Sequence, residues 1–202
     1  MRKSLRIIPA VLLVAIGAPA AHADGVFTLG NHPQPNEQNI LFGSTQMGAT
    51  VFGSTNFTDT TVQFSSTTDV LMVPSSGQAK VTAMDGLVND ITTTIPGSAF
   101  FILNPFKPAV NGDLTVTMTM SDAHVFTFGP YGSINGNNFL TITTSGGELI
   151  SSVTIDSPGG FQDLRQPRIS ASAVSPVDEP SSLLLLSGAL GLMGVLWRKL
   201  VR

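Results

Sequence analysis

Two histidines have the most direct capacity for proton transfer between residues 24 and 176. His32 lies in the polar, proline-containing stretch GNHPQPNEQN, and His124 opens the apolar run HVFTF. Hydrolysis or group transfer requires a nucleophile with a base, a pair of carboxylates, or a metal with an open coordination site. A lone histidine at a strand end is usually an ordinary surface residue, so neither histidine by itself indicates catalysis.

The two glutamates of the same region, Glu37 and Glu148, are the carboxylate pair that a surface glycoside hydrolase would need. Such a pair works only when the two groups are close in space, and the sequence does not show that they are. The sequence also contains no G-x-S-x-G, H-E-x-x-H or P-loop motif. We therefore expect no enzyme and no catalytic residues, with the hydrolase as the less favoured alternative.

The aspartates fall mostly at strand ends and turns, where such residues commonly form turns. The stretch MDGLVND offers Asp85, Asn89 and Asp90 as oxygen ligands of the kind that calcium takes. Its spacing departs from the EF-hand pattern. We expect no cofactor, and calcium at these three residues is the alternative.

Tyr131 is the one tyrosine of the chain and lies in the loop FGPYGSINGNN. Loops rich in glycine and asparagine often carry function, and exposed aromatic rings can stack on sugars. The alternative is that the ring packs as a lid on the core. Tyr131 is therefore the candidate ligand residue of a carbohydrate-binding module, with or without calcium.

The elements that hold these residues are predicted to be β-strands. Residues 24–170 are rich in Thr, Val, Ile, Phe, Gly and Ser, and DLTVTMTMSD alternates apolar and polar positions with a period of two. About a dozen such runs follow one another at strand spacing, separated by turn signals that include Pro158-Gly159-Gly160. This pattern predicts one all-β domain, an antiparallel two-sheet sandwich of the jelly-roll type.

Composition excludes several classes of partner and site. Cysteine is absent, so disulfides and thiolate zinc sites are excluded. Residues 24–176 contain four basic and eleven acidic residues, and four minus eleven gives a net charge of −7. Because such a body repels phosphate backbones, we expect no binding to nucleic acid.

The N-terminal residues 1–23 have the pattern of a secretory signal peptide. Basic residues precede an apolar stretch, and small residues at Ala21 and Ala23 form a site for signal peptidase. An N-terminal membrane anchor is the alternative, but the apolar run is short and contains prolines. We predict export of a mature chain that begins at Asp24.

The chain ends in a second apolar segment, the predicted hydrophobic helix 183–197, which follows a predicted linker at 171–177. Fifteen residues of helix rise only about 22 Å, against a hydrocarbon core of about 30 Å. A basic end would stay on the cytoplasmic side and leave residues 24–170 facing outward. That end consists of Arg198, Lys199 and Arg202.

A short polar motif precedes this helix, and glycines recur within it. The motif residues are Val177, Asp178, Glu179, Pro180, Ser181 and Ser182. Together with the helix and the basic end, the segment 178–202 resembles the PEP-CTERM sorting signal, with Asp178 where the family usually has its first proline. The resemblance implies a bacterial exported protein that an exosortase-like membrane enzyme recognises. A plain transmembrane anchor is the alternative.

A weaker likeness to the closing strands of exported PEP-CTERM proteins covers NNFLTITTSGGELISSVTIDSPGGFQDLRQPRIS. Within it we expect Asp163 to pair with Arg165 or Arg168 in an architectural role. The family likeness implies a cell-envelope, cell-surface or extracellular location, and an association with exopolysaccharide or biofilm. We therefore expect a non-catalytic matrix or envelope protein, inserted in the inner membrane by its C-terminal helix before processing.

Overall fold

The computed structural model describes residues 24–74, 77–108, 114–131 and 138–170, and within these ranges the chain is all-β, as predicted. The strands are β1 Gly25–Leu29, β2 Glu37–Phe42, β3 Gln46–Gly48, β4 Thr50–Thr55, β5 Thr61–Ser65, β6 Leu71–Val73, β7 Gly77–Gln78, β8 Lys80–Ala83, β9 Val88–Ser98, β10 Phe100–Pro108, β11 Leu114–Met120, β12 Val125–Tyr131, β13 Leu140–Thr144 and β14 Ile150–Ser170. The described part of the chain contains no helix long and apolar enough to span a membrane.

The predicted targeting segments lie outside the described residues. These are the signal peptide at 1–23, the linker at 171–177 and the sorting segment at 178–202 with its hydrophobic helix 183–197. Their predictions therefore remain predictions.

Strands form where the sequence alternates apolar and polar residues, as predicted. In β11, Leu114, Val116, Met118 and Met120 are buried, and the threonines between them are partly exposed. The same alternation occurs in β4 and β5. Successive side chains of a strand point to opposite faces, so each of these strands has one core face and one solvent face.

Pairing joins the strands into two runs that share β14 and β2. In the first run, antiparallel pairs connect β2, β4, β5, β9, the first half of β14, β11 and β12 in that order. In the second run, β1 pairs with β13, β13 with β10, and β10 with the second half of β14. The other side of that second half pairs with β8 and then with β2. The short strands β3 and β6 extend from β8, and β7 pairs with β2.

The long strand β14 corrects one prediction. A turn or tight connection was expected at Pro158-Gly159-Gly160, but these residues lie inside a continuous strand of 21 residues. The register breaks between Asp156 and Phe161, where Gly160 has a φ of +74°. Glycine adopts positive φ without steric cost, so the backbone bends here and the strand changes partners instead of reversing.

One hydrophobic cluster holds both runs together. It contains Val62 and Ile155 from the first run, and Phe101 and Ile142 from the second. Phe42, Phe64, Phe101 and Phe161 are among its largest fully buried side chains. Burial of such a ring contributes roughly 2–3 kcal/mol, which lets a body without disulfides fold around packing alone.

Candidate functional site

A cleft of about 560 Å³ lies where β2, the turn after β4 and the end of β14 meet. Its lining combines apolar side chains with several amides and one cation. The lining residues are Asn31, Asn39, Ile40, Leu41, Asn56, Ala79, Phe139, Gln166, Pro167 and Arg168. A largely apolar concavity with a few converging polar groups is the usual form of a small-molecule binding site.

Two asparagines are held at the cleft by hydrogen bonds between β2 and the turn after β4. The backbone N–H of Asn39 donates to the side-chain oxygen of Asn56 at 3.0 Å. The backbone N–H of Asn56 donates in return to the carbonyl of Asn39 at 3.0 Å. Both residues are exposed, so their carboxamides are presented to solvent on rigid backbone.

Gln166 supplies a third amide from an irregular point of β14. Its φ is +45°, and its backbone N–H donates to the carbonyl of Ala79 at 2.9 Å. A positive φ is uncommon for a residue with a side chain. This local conformation breaks the alternation of β14 and leaves the Gln166 side chain exposed at the cleft.

Among the described residues that line the cleft, Arg168 alone is charged, and its charge is compensated. One terminal nitrogen donates to the carboxylate of Glu37, and the other donates to the side-chain oxygen of Asn31 at 2.6 Å. The guanidinium carbon lies 5.3 Å from the ring centre of Phe139, within reach of a cation–π contact. The cleft is therefore electrically neutral and rich in amide donors and acceptors.

The turn between β4 and β5 also presents an aromatic ring. Phe57 follows Asn56 directly and is 79 % exposed. Leu41, itself part of the cleft lining, is 39 % exposed. Phe57 is adjacent to Asn56 in sequence but is not among the described lining residues of the cleft. An exposed aromatic ring of this kind can stack on the apolar face of a sugar.

Asp90, a predicted calcium ligand, instead caps the loop that follows β5. Its carboxylate accepts hydrogen bonds from the backbone N–H groups and hydroxyls of Thr67 and Thr68 and from the hydroxyl of Ser66. Burial alone would raise its pKa, but the bonds from Ser66, Thr68 and Thr67 outweigh burial and lower the pKa to about 2. Asp90 is therefore ionised at every physiological pH.

The other two predicted calcium ligands have separate partners. Asn89 donates through its backbone N–H and its side-chain amide to Asp69, at 2.7 and 3.1 Å. Asp85 is exposed in the turn after β8 and accepts a long bond of 3.4 Å from the backbone of Leu87. The described residues contain no group of three or more His, Cys, Asp or Glu side chains placed to hold a metal ion. The calcium site remains a prediction.

Asp156 is the partner of Asp90 in the pairing of β9 with β14. Burial raises the pKa of Asp156, and the neighbouring negative charge of Asp90 raises it further. In the pairing register Asp156 lies between Asp90 and Thr115, with no cation beside it.

Asp163 forms the ion pair that was expected with Arg165, but the pair is not exposed as an ordinary surface pair would be. The Asp163 side chain is 0 % exposed and accepts two bonds from Arg165, at 2.5 and 3.0 Å. Lys80 also lies 3.3 Å from its carboxylate. The guanidinium of Arg165 covers the Phe106 ring at 3.5 Å. Arg168, the other candidate partner, pairs with Glu37 instead.

Tyr131 lies at the end of β12, and its ring stacks on Phe27 with centroids 4.3 Å apart. Phe27 also stacks on Phe128 at 5.4 Å. Burial raises the pKa of the Tyr131 hydroxyl. One face of the ring is thus covered by protein, which is the packing arrangement weighed as the alternative to a sugar contact.

The histidines and glutamates of the sequence analysis lie on different elements. His32 bonds the carbonyl of Leu29 at 3.1 Å, whereas His124 bonds the exposed Asp122 at 2.7 Å in the turn between β11 and β12. The backbone N–H and then the imidazole of His124 lower the pKa of Asp122. Glu37 is engaged with Arg168, and Glu148 lies in the connection between β13 and β14.

Sequence analysis did not identify the cleft, because its residues are far apart in the chain. Asn39 and Asn56 become neighbours only through the pairing of β2 with β4, and Gln166 reaches them only because β14 changes partners. The available local signal was Phe57 in the polar turn TNFTDT, where a large apolar side chain is unexpected.

Comparison of the chain with protein-family models, with characterised proteins and with solved structures finds no match. The function of the chain is therefore inferred from the geometry of the cleft.

Proposed function

We propose that this chain is a non-catalytic, exported protein of the bacterial cell envelope or extracellular matrix, which associates with exopolysaccharide through the cleft beside Arg168. The observation that carries this proposal is the neutral lining of amides around an apolar floor. A carboxamide donates and accepts hydrogen bonds at once, which matches neighbouring hydroxyl groups of a sugar. Phe57, which follows Asn56 in sequence and lies outside the lining residues, is an exposed ring available for stacking at the margin of this surface.

The ligand class follows from charge. The body carries a net charge of −7 between residues 24 and 176, and Glu37 neutralises the one cation of the cleft. A polyanionic chain would be repelled by such a surface, whereas a neutral polysaccharide would not. The proposal therefore specifies a neutral sugar chain.

The sorting part of the proposal rests on the two chain ends. A signal peptide at 1–23, cleaved after Ala23, leads to export, and an exosortase-like enzyme recognises the PEP-CTERM-like segment from Val177 to Ser182. Helix 183–197 lies in the inner membrane before processing, with Arg198, Lys199 and Arg202 on the cytoplasmic side.

We also propose that the two runs of strands are the two layers of a jelly-roll-like sandwich. The single hydrophobic cluster and the sharing of β14 and β2 support this arrangement, because a sheet with one apolar face must bury it against another layer. A sandwich would hold the cleft at one end, where the layers exchange strands.

A carbohydrate site at Tyr131 is the second candidate. Its support is the position of the ring beside Phe27, at the end of an exposed strand. Tyr131→Ala separates the two sites, since it leaves the cleft intact. A surface hydrolase that uses Glu37 and Glu148 is the remaining alternative, and Glu37→Gln with Glu148→Gln would abolish hydrolysis if it existed.

Calorimetry with a short neutral glucan, the tetrasaccharide, tests the cleft. We expect saturable binding that Phe57→Ala together with Gln166→Gly weakens about tenfold or more. Glycine accepts the positive φ of position 166, so this change removes the amide without straining the backbone. Met84→Ala, at an exposed side chain outside the cleft lining, is the matched control. Loss of binding in Tyr131→Ala but not in the cleft variant would transfer the site to Tyr131.

Intact mass of the protein from envelope and culture medium of the native host tests the sorting. A mass that ends near residues 178–182 supports processing. A mass that includes Arg202 would replace the sorting proposal with a membrane anchor.

A further inference from the structure

Six hydroxyl side chains stand in one row across six neighbouring strands of the first run. Thr50 pairs with Ser65, Ser65 with Thr92, Thr92 with Thr154, Thr154 with Thr117, and Thr117 with Thr127. All six lie at exposed or partly exposed positions, with buried residues before and after most of them. Neighbouring strands are about 4.8 Å apart, so the row spans roughly 24 Å.

A second row runs parallel to the first, two residues along each strand. Its members pair in the order Phe52, Gln63, Thr94, Ser152, Thr119 and Val125. Four neutral polar side chains in the middle are thus flanked by an apolar side chain at each end. Phe52 and Val125 are 48 % and 59 % exposed.

The two rows carry no charge. The four basic residues between 24 and 176 lie on β8, β10 and the second half of β14, outside the rows. Asp90 and Asp156 lie one step beyond the first row, on the side away from the second. Asp122 lies with His124 in the turn beyond the end of the second row, where Thr119 pairs with Val125. This surface, which we call the hydroxyl face, is defined by the two rows.

The hydroxyl face continues into the cleft. Beyond β4 the next strand is β2, where Leu41 pairs with Ser54. Leu41 and its neighbour Asn39 both line the cleft. A chain that leaves the cleft over Leu41 therefore meets Phe52 and the rows of hydroxyls without crossing a charged side chain in the register.

We infer that the hydroxyl face is an extended binding surface for a neutral polysaccharide chain that leaves the cleft and runs across the strands. This inference rests on the proposed function of the cleft and specifies its ligand as a polymer. Uncharged hydroxyls in a regular row match a polymer that repeats hydroxyls along its length, and the absence of cations disfavours lipid headgroups and polyuronates.

The middle of the row is already oriented. The hydroxyls of Thr92 and Thr154 bond to each other at 2.8 Å, so their remaining donor and acceptor positions are fixed relative to the sheet. One hydrogen bond exchanged with water gains little, so binding becomes measurable only when many contacts act together. The expected signature is an affinity that increases with the length of the sugar chain.

The test measures affinity of the full chain for a series of neutral glucans, from the tetrasaccharide to the dodecasaccharide, by calorimetry. The variant replaces three neighbours of the first row, Thr92→Val, Thr154→Val and Thr117→Val. Valine has nearly the shape of threonine and suits strands, so the sheet is retained while three hydroxyls are lost. Thr93→Val, one residue along β9 and fully buried, is the matched control. Thr127→Val on the exposed strand β12 is a milder second variant.

We expect the dodecasaccharide to bind the unaltered protein about tenfold more tightly than the tetrasaccharide. The triple variant should lose most of this gain and keep tetrasaccharide affinity. Thr93→Val should keep the whole gain, and Thr127→Val should lose part of it. Equal affinity for all lengths, or a gain that the triple variant retains, overturns the hydroxyl face and leaves the cleft in place. Failure of every glucan to bind overturns the proposed function and the inference with it.

Discussion

The two halves of β14 surround their buried carboxylates with different chemistry. The first half pairs with β9 and β11 amid threonine and serine, and its neighbour Asp90 is stabilised by hydroxyls and backbone N–H groups. The second half pairs with β8 and β10, and its own Asp163 is stabilised by Lys80 and Arg165. We call the first half of β14 with β9 and β11 the neutral half, because neutral groups stabilise its carboxylate, and the second half of β14 with β8 and β10 the charged half.

The difference shows where an acidic chain places its few basic residues. The body has four basic residues, and three of them, Lys80, Arg165 and Arg168, hold Asp163 and Glu37 in ion pairs. Lys80 and Arg165 are directly paired on the neighbouring strands β8 and β14. The two cations would repel each other without Asp163 beside them. Neutral donors satisfy Asp90 instead, which leaves the first half free of cations and suited to a neutral ligand.

The charged half should show the largest effect of a single substitution. Asp163→Asn removes the carboxylate between Lys80 and Arg165, so it leaves two cations close together without compensation. We expect the free energy of unfolding to fall by about 2–4 kcal/mol. The loss stays below that of a fully buried pair, because both cations are partly solvated. Urea unfolding measures the change. Asp122→Asn, at an exposed pair, is the control and should leave the urea unfolding curve nearly unchanged.

The neutral half should respond to acid through Asp90. Its pKa in the folded protein is about 2, against 3.8 as the ordinary value. Its contribution to stability is therefore complete above about pH 4 and disappears as the pH falls towards about 2. We expect Asp90→Asn to lower the free energy of unfolding by about 2 kcal/mol at neutral pH.

Urea unfolding of the unaltered protein and of Asp90→Asn over a series of pH values checks this prediction. The difference between them should shrink as the pH approaches 2. A difference that is constant with pH would show that the hydrogen bonds to Asp90 do not depend on its ionisation.

The sequence predicted the local structure of the first half better than that of the second. Alternation in DLTVTMTM correctly placed Leu114 and Met118 in the core, because one strand with one wet face needs only local information. The prediction of a turn at Pro158-Gly159-Gly160 was wrong, because glycine signals positive φ without saying whether a strand reverses or bends.

The candidate site was still less accessible from the sequence. The cleft joins Asn31, Asn56, Phe139 and Gln166, which only strand register brings together. The hydroxyl face depends on the same information, since Thr92 and Thr154 are ordinary strand residues until their alignment is known. Composition did indicate that residues 24–176 have few basic residues and a net negative charge.

One buried hydroxyl, on the inward side of β9, should lower the stability of the folded protein. Thr93 is 0 % exposed, and its hydroxyl oxygen has no hydrogen-bond partner among the described residues. Thr93→Val fills the same volume without a buried polar group, so we expect the free energy of unfolding to rise by about 1 kcal/mol. Thermal unfolding beside Thr92→Val, on the outward side of the same strand, checks it. A lower stability in Thr93→Val would mean that the hydroxyl is satisfied after all.

The smallest effect is expected at Asp156, where the neutral half carries an uncompensated charge. Burial and then the charge of Asp90 raise its pKa, so its ionised form destabilises the folded protein above that pKa. Asp156→Asn should raise the free energy of unfolding by about half a kcal/mol at neutral pH. The advantage should vanish in acid, where both forms are neutral. A loss of stability at neutral pH would contradict this account of the pair.

Electrophoretic mobility in gels that contain a neutral glucan tests polysaccharide binding by the cleft. We expect the neutral glucan, and not alginate, to retard the protein, and Phe57→Ala with Gln166→Gly to restore most of its mobility. Equal mobility with and without neutral glucan, or equal retardation of the cleft variant, would contradict polysaccharide binding by the cleft.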